Sequence, residues 1–143
     1  IVRGIIDRLR QSYACSVVEL DRTLAMRQIE AMRAVDVVLL LVRPDAASIR
    51  RACWAMKTAK SLHVPHHRFA LVLARSGRRD PLAPSTIARV FRLPVVAQLP
   101  EAPQAVGHAV SEGRGLIEGP GSSRLATCLK RLAQTIQARP PHA

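Results

Sequence analysis

The chain has 143 residues, and its 22 Lys and Arg outnumber its 10 Asp and Glu, which gives a formal net charge of +12. This length suffices for one domain with a hydrophobic core, and the charge predicts attraction to nucleic acid, anionic membrane or an acidic partner, unless it only reflects an arginine-rich composition. The longest apolar run, residues 37–42, is too short for a membrane-spanning helix, and the amphipathic first residues are unlike a secretion signal.

Apolar residues recur along the chain with two alternating periods. Helical spacing predicts helices over residues 1–11, 24–35, 46–62, 84–91 and 103–111 and from residue 122 or 123 to 137, while short apolar runs predict strands over residues 13–20, 37–42, 69–73 and 95–99. Strands that alternate with helices and are apolar throughout are typical of a buried parallel sheet. We therefore predict an α/β fold, a mostly parallel sheet with helices on both faces.

Residues that favour helix starts stand where several of these helices begin. We expect Thr23 and Asp45 to act as caps, because their side-chain oxygens accept amide hydrogens of the first turn. Proline suits a first helical turn, so Pro84 and Pro103 mark two further starts. The Gly- and Ser-rich residues 113–123 are predicted to form a loop before the last helix.

Aromatic and cysteine residues are few and scattered, and we expect them in the core. The aromatic residues are Tyr13, Trp54, Phe69 and Phe91, and the cysteines are Cys15, Cys53 and Cys128. The cysteine spacing indicates neither a disulfide framework nor a metal site. The short histidine turn at residues 63–67 has no cysteine or carboxylate at ligand spacing, so a metal site is not predicted there either.

Charged residues follow the predicted strands. Glu19 and Asp21 end the first strand, Asp45 follows the second, and a basic loop at residues 75–81 follows the third. In parallel sheets, ligands bind at the carboxyl ends of the strands. These residues therefore mark the edge of the sheet where a binding site is expected.

The order of these elements and the residues after them resemble the C-terminal half of the deviant Walker ATPases of the ParA and MinD type. The most specific match is Arg43-Pro44-Asp45-Ala46-Ala47-Ser48-Ile49-Arg50, similar to the family's proline and aspartate loop before a helix. Residues 93–101 are similar to its strand that ends in a proline and acid pair, here Pro100 and Glu101. Residues 109–116 are similar to its Ala-x-x-x-Gly-x-Pro-Leu segment, with Gly115 at the proline position.

Other positions depart from the family pattern. In the segment Val17-Val18-Glu19-Leu20-Asp21-Arg22, Glu19 stands where the family has the aspartate that organises magnesium and the attacking water, and Asp21 stands at its proline. Ala74 replaces the asparagine that would bind adenine, while the adjacent Arg75 is able to stack on a base or pair with phosphate. Magnesium tolerates altered geometry poorly, so we expect no significant ATP hydrolysis by this chain alone.

The resemblance implies a P-loop NTPase-like three-layer sandwich that lacks the first strand or strands, since no Gly-x-x-x-x-Gly-Lys-Ser/Thr motif occurs in the 143 residues. It implies ATP and magnesium as cofactors of the full-length protein and none for this chain alone. The nucleotide-binding positions it implies are Glu19, Asp21, Arg75, Pro100 and Glu101, and it supports no catalytic residue. The similarity is greatest to the CpaE/TadZ branch.

That branch implies a homodimeric, cytoplasmic positioning factor for pilus or secretion machinery. We expect one domain over residues 1–138 and a disordered tail over residues 139–143. Two alternatives remain open at the level of sequence. One is a ParA-like partition protein that binds DNA nonspecifically through its basic surface. The other is a small enzyme on a flavodoxin-like sheet.

Overall fold

A computed structural model describes residues 1–21, 23–76, 80–118 and 123–138. The helices are α1 (Val2–Ser12), α2 (Met26–Ala34), α3 (Ala46–Ser61), α4 (Pro84–Phe91), α5 (Pro103–Ser111) and α6 (Arg124–Gln137), and the strands are β1 (Val38–Val42), β2 (Phe69–Ala74) and β3 (Val95–Leu99). A single 3₁₀ turn, His66–Arg68, precedes β2. The predicted tail at residues 139–143 and parts of both predicted loops, residues 77–79 and 119–122, lie outside the described residues.

The three strands form one parallel sheet in the order β1-β2-β3. Val38 of β1 lies opposite Phe69 of β2, and the register stays regular up to the pair Val42 and Leu73. Between β2 and β3 the register shifts by one residue, since Leu71 pairs with Val95 and Val72 pairs with Ala97. The parallel α/β sheet predicted from the sequence is thereby confirmed.

The centre of the core is β2. Its residues Phe69, Ala70, Leu71, Val72 and Leu73 are all buried. Because successive side chains of a strand point to opposite faces of the sheet, an unbroken buried run means that both faces are covered. The core is completed mainly by aliphatic residues of the neighbouring elements, among them Ile29, Val42, Ile87 and Leu132.

Local signals predicted several helix starts correctly. Asp45 Oδ1 accepts a hydrogen bond from the Ser48 amide at 2.8 Å at the start of α3. Ser123 does the same for α6, accepting from the Ala126 amide at 3.1 Å. Pro84 and Pro103 occupy the first turns of α4 and α5. These contacts need only nearby residues, which explains why sequence patterns suffice to locate them.

The predicted strand at residues 13–20 is wrong. This segment is unpaired and largely exposed, with Val17 92% and Tyr13 62% accessible. An apolar run becomes a strand only when another strand binds its amides and carbonyls, and within the described residues nothing pairs with this segment. The strand β1 pairs with β2 on one side, and its other edge has no partner in that part of the chain.

Three smaller expectations are also wrong. Thr23 does not cap α2: the helix is preceded by Ala25, whose amide donates to Gln28 Oε1 at 2.6 Å. Cys15 lies on the exposed segment rather than in the core. Trp54 is 60% accessible on the outer face of α3, whereas Phe69 and Phe91 are buried as predicted.

No helix in the described ranges combines the length and the apolar character that a membrane span requires.

Candidate functional site

Three loops follow the carboxyl ends of the strands, and they lie along one edge of the sheet because the strands are parallel. Residues 43–45 follow β1, residues 75 and 76 follow β2, and residues 100 and 101 follow β3. This edge is where ligands bind in open parallel sheets. It holds three of the five predicted nucleotide-binding residues, namely Arg75, Pro100 and Glu101.

The loops after β2 and β3 are joined by two contacts. The Ser76 amide donates to the Leu99 carbonyl at 3.0 Å, which continues the β2–β3 pairing beyond the strand ends. The Arg75 guanidinium lies 3.6 Å from the Glu101 carboxylate, Nε to Oε1. Both side chains are about 60% accessible, so this exposed pair adds little stability, and its groups can reach other partners.

The backbone at Arg75 has a left-handed conformation, with φ of +56°. Such a conformation is uncommon for a residue with a Cβ atom. It turns the chain sharply at the end of β2, and Ser76 is then placed between the two loops. The Arg75 side chain is left on the exposed edge of the sheet, where its planar guanidinium is accessible to a base or a phosphate.

The Ser76 hydroxyl contributes a polar contact that the sequence did not reveal. Its Oγ lies 3.1 Å from Asp80 Oδ2 and 3.4 Å from Gln98 Oε1. A serine hydroxyl has one hydrogen to donate, and the shorter contact to a carboxylate is the stronger of the two. No motif around Ser76 or Gln98 predicts the contact between these two residues, since it depends on the β2–β3 register.

Asp45 is occupied by local contacts. It caps α3, and its Oδ2 lies 3.5 Å from Arg43 Nε. The Arg43 amide in turn donates to Ser48 Oγ at 3.0 Å. The segment that most resembles the ParA and MinD pattern is therefore a capped turn that links β1 to α3. These contacts stabilise the turn, and both carboxylate oxygens of Asp45 take part in them.

Glu19 and Asp21 lie on the unpaired segment that precedes α2. Asp21 Oδ1 accepts hydrogen bonds from the Thr23 amide at 2.7 Å and from the Thr23 hydroxyl at 2.5 Å. The hydroxyl bond is the larger cause that lowers the pKa of Asp21 to about 2, followed by the amide bond. Glu19 is exposed, and no hydrogen bond or ion pair joins it to another described residue.

These residues by themselves do not fit a bound magnesium nucleotide. Among the described residues, no group of three or more His, Cys, Asp or Glu is placed to hold a metal ion. At the carboxyl edge, Arg75 already faces Glu101 and Arg43 lies beside Asp45, and Ala74 presents a methyl group where an adenine-binding amide would be required. Within the described residues, the edge therefore offers exposed cations and carboxylates, but no phosphate cradle.

Three solved structures illustrate what this fold resembles. The septum site-determining protein MinD of Pyrococcus horikoshii, in complex with Mg-ADP, superposes with a TM-score of 0.78 and 19% identity, covering 96% of this chain and 56% of that one. A ParA family ATPase of Chlorobium tepidum superposes with a TM-score of 0.68 and 18% identity, covering 80% of this chain and 47% of that one. A chain of the MinC:MinD cell division protein complex of Aquifex aeolicus superposes with a TM-score of 0.76 and 16% identity, covering 99% of this chain and 60% of that one.

The chain thus has the fold of the MinD and ParA ATPases, a P-loop NTPase-like α/β fold, and spans about half the length of those proteins. At these identities the likeness concerns the fold alone. No protein-family model matches the chain, and no curated protein matches its sequence.

Proposed function

We propose that the chain acts as a ParA/MinD-like positioning or assembly factor, of the CpaE/TadZ kind, for pilus or secretion machinery in the cytoplasm. The observation that supports it most is the agreement of nearly the whole chain with a MinD structure, at a TM-score of 0.78 over 96% of its length. The capped Arg43–Arg50 turn, which resembles the family's proline and aspartate pattern, lies at the junction of β1 and α3. We further propose that residues 1–138 form one domain.

The nucleotide site in this proposal is degenerate. Arg75, Pro100 and Glu101 would contact the base or sugar of a nucleotide at the carboxyl edge of the sheet, while Glu19 and Asp21 would approach the phosphates and magnesium in the full-length protein. The P. horikoshii neighbour is complexed with Mg-ADP, which supports nucleotide as the ligand class. For the isolated chain, the unpaired position of Glu19 and Asp21 supports weak binding at most.

We also propose that the protein self-associates through the free edge of β1. Leu41 in the middle of this strand is 62% accessible, although strands of a parallel sheet are normally covered. Val17 and Val18 of the unpaired segment are exposed as well. An open apolar strand edge favours pairing with another chain. The MinD of A. aeolicus is found in a complex with MinC, which supports association with a second, different protein too.

Imaging in cells that carry the gene tests the positioning role. A fluorescent fusion of the chain should concentrate at a defined cell site that is independent of the nucleoid. Fluorescence that follows the nucleoid would support the DNA-binding alternative instead, and uniform fluorescence would refute localisation.

Calorimetry tests the degenerate site. Titration of the chain with Mg-ATP should give dissociation constants weaker than about 1 mM, equivalent to roughly 4 kcal/mol of binding free energy. Micromolar affinity, together with phosphate release that is lost in Glu19→Ala, would contradict it. Glu30→Ala, a change of an exposed acid on α2, is the matched control.

A ParA-like partition function is the second candidate, and the outer face of α3 supports it. Arg50, Arg51, Lys57 and Lys60 are exposed there, and none forms an ion pair with another described residue. The exposed Trp54 lies on the same helix. Clustered unpaired cations are the electrostatic signature of nonspecific binding to nucleic acid, or to an acidic membrane.

A further inference from the structure

A groove lies between β3 and α6. Its volume is about 600 Å³, and residues 95–98 of β3 line one wall. The other wall is one face of α6, formed by Arg124, Thr127, Cys128, Arg131 and Leu132. The strand β3 is the last in the sheet, so its outer edge has no partner strand in the described chain.

The charge of the groove is positive and uncompensated. Arg124 and Arg131 are both exposed, and among the described residues neither guanidinium has an ion pair. Of the described residues that line the groove, none is acidic. The nearest acids before α6 in the chain are engaged elsewhere, since Glu112 pairs with Arg114 at 2.5 Å and Glu118 accepts from the Gly115 amide at 3.1 Å. The groove therefore favours an anionic occupant.

The spacing of the two arginines suits an extended peptide. Seven residues separate Arg124 from Arg131, which is about two helical turns or ~10.5 Å along α6, so both lie on one face. In an extended strand, side chains on one face repeat every ~7 Å, and a peptide with acids at alternate positions presents carboxylates at ~7 and ~13 Å. The flexible side chains of Arg124 and Arg131 can reach carboxylates at either of these separations.

We propose that this groove binds an extended acidic peptide segment of a partner protein, which adds a strand beside β3 and places its carboxylates against Arg124 and Arg131. Main-chain hydrogen bonds to the free edge provide affinity, as in other cases of strand addition, and the two guanidinium groups select for acidic side chains at alternate positions. The apolar groups of Val95, Ala97 and Leu132 contact the peptide side chains that lie between the acidic ones. Gln98 lines the groove and also contacts Ser76 at the nucleotide edge, so the two sites are adjacent, but strand addition does not require a bound nucleotide.

Fluorescence polarisation with two labelled peptides of equal length, composition and charge tests the proposal. One alternates Glu and Thr, so that all glutamates lie on one face of a strand. The other repeats Glu-Glu-Thr-Thr, which divides them between both faces. We expect the alternating peptide to bind the 143-residue chain about fivefold more tightly, a difference of roughly 1 kcal/mol.

Two matched variants separate the groove from general charge. Arg124→Gln with Arg131→Gln should weaken binding of the alternating peptide about tenfold, the scale of two partly exposed charge-assisted contacts. Arg50→Gln with Arg51→Gln removes the same charge from α3 and should change the affinity by less than about twofold. Circular dichroism checks that both variants fold, as expected for exposed positions.

Equal affinities for the two peptides, or equal losses in the two variants, would overturn the proposal and leave only nonspecific attraction to a basic protein. Failure of nucleotide binding or of cellular localisation would not affect these measurements. The two proposals can therefore fail independently.

Discussion

Asp45 shows how one residue links sequence to structure. Its Oδ1 accepts a hydrogen bond from the Ser48 amide at the start of α3, which with 16 residues is the longest helix of the described chain. Loss of such a cap costs about 1 kcal/mol. Asp45→Ala should therefore lower the midpoint of thermal unfolding by roughly 3–6 °C for a domain of this size, measured by circular dichroism.

Asp7→Ala is the control for this prediction, because Asp7 is an exposed acid on α1 and the change removes the same charge. It should shift the midpoint by less than about 1 °C, as expected for a surface substitution. Equal shifts in the two variants would mean that the cap contributes nothing beyond charge.

Asp21 provides a prediction about pH. Its pKa is lowered from 3.8 to about 2, chiefly by the Thr23 hydroxyl. A carboxyl group with a lowered folded pKa stabilises the folded state above its unfolded pKa, and this contribution is lost as the pH falls from 3.8 through about 2. Thr23→Ala should raise the pKa of Asp21 towards 3.8, although the amide bond remains.

The measurement is an NMR titration of the Asp21 carboxyl carbon. Thr135→Ala removes a hydroxyl that bonds only to a backbone carbonyl on α6 and should leave this titration unchanged. A pKa that stays near 2 in Thr23→Ala would show that the hydroxyl is not the main cause and that the backbone amide, Gln28 and Arg27 suffice.

Among the elements, β1 is the one whose surroundings differ most from expectation. Its apolar run predicted a covered strand, yet Leu41 is 62% accessible and one edge is unpaired in the described chain. If copies associate there, Leu41→Lys should convert dimers to monomers in sedimentation velocity, because a buried unpaired lysine in an interface is costly.

Val110→Lys on α5 is the matched control, since Val110 is 75% accessible and distant in sequence from β1. It should leave the sedimentation coefficient unchanged. A wild-type chain that sediments as a monomer at high concentration would refute association through this edge.

At the scale of the whole molecule, the charge of +12 predicts salt-sensitive binding to DNA with little sequence preference. Each phosphate contact contributes about 0.9 to the slope of the logarithm of affinity against the logarithm of salt concentration. If α3 makes these contacts, Arg50→Gln with Arg51→Gln should reduce the slope by roughly 1 to 2 in a filter-binding series. Arg124→Gln with Arg131→Gln serves as the control of equal charge.

An unchanged slope in the α3 variant would show that the positive charge acts diffusely or elsewhere. A clear preference for one DNA sequence would contradict a purely electrostatic mechanism.

The parts of this protein that depend on neighbouring residues were predictable from sequence. The caps at Asp45 and Ser123 are contacts within a few positions, and the apolar runs of β2 and β3 are local sequence patterns. The structure has each of them where the pattern placed it. The resemblance of residues 43–50 to the ParA and MinD pattern belongs to the same class, because a strand, a capped turn and a helix are adjacent in the chain.

Other features were decided by contacts between distant segments. Residues 13–20 have the composition of a strand but no partner, so they remain unpaired, and Tyr13 and Trp54 are exposed although aromatic residues were expected inside. The Arg75–Glu101 contact, the Ser76–Gln98 contact and the basic groove beside β3 all arise from the order and register of the strands. Strand pairing and burial join residues far apart in sequence, and for that reason local periodicity does not determine them.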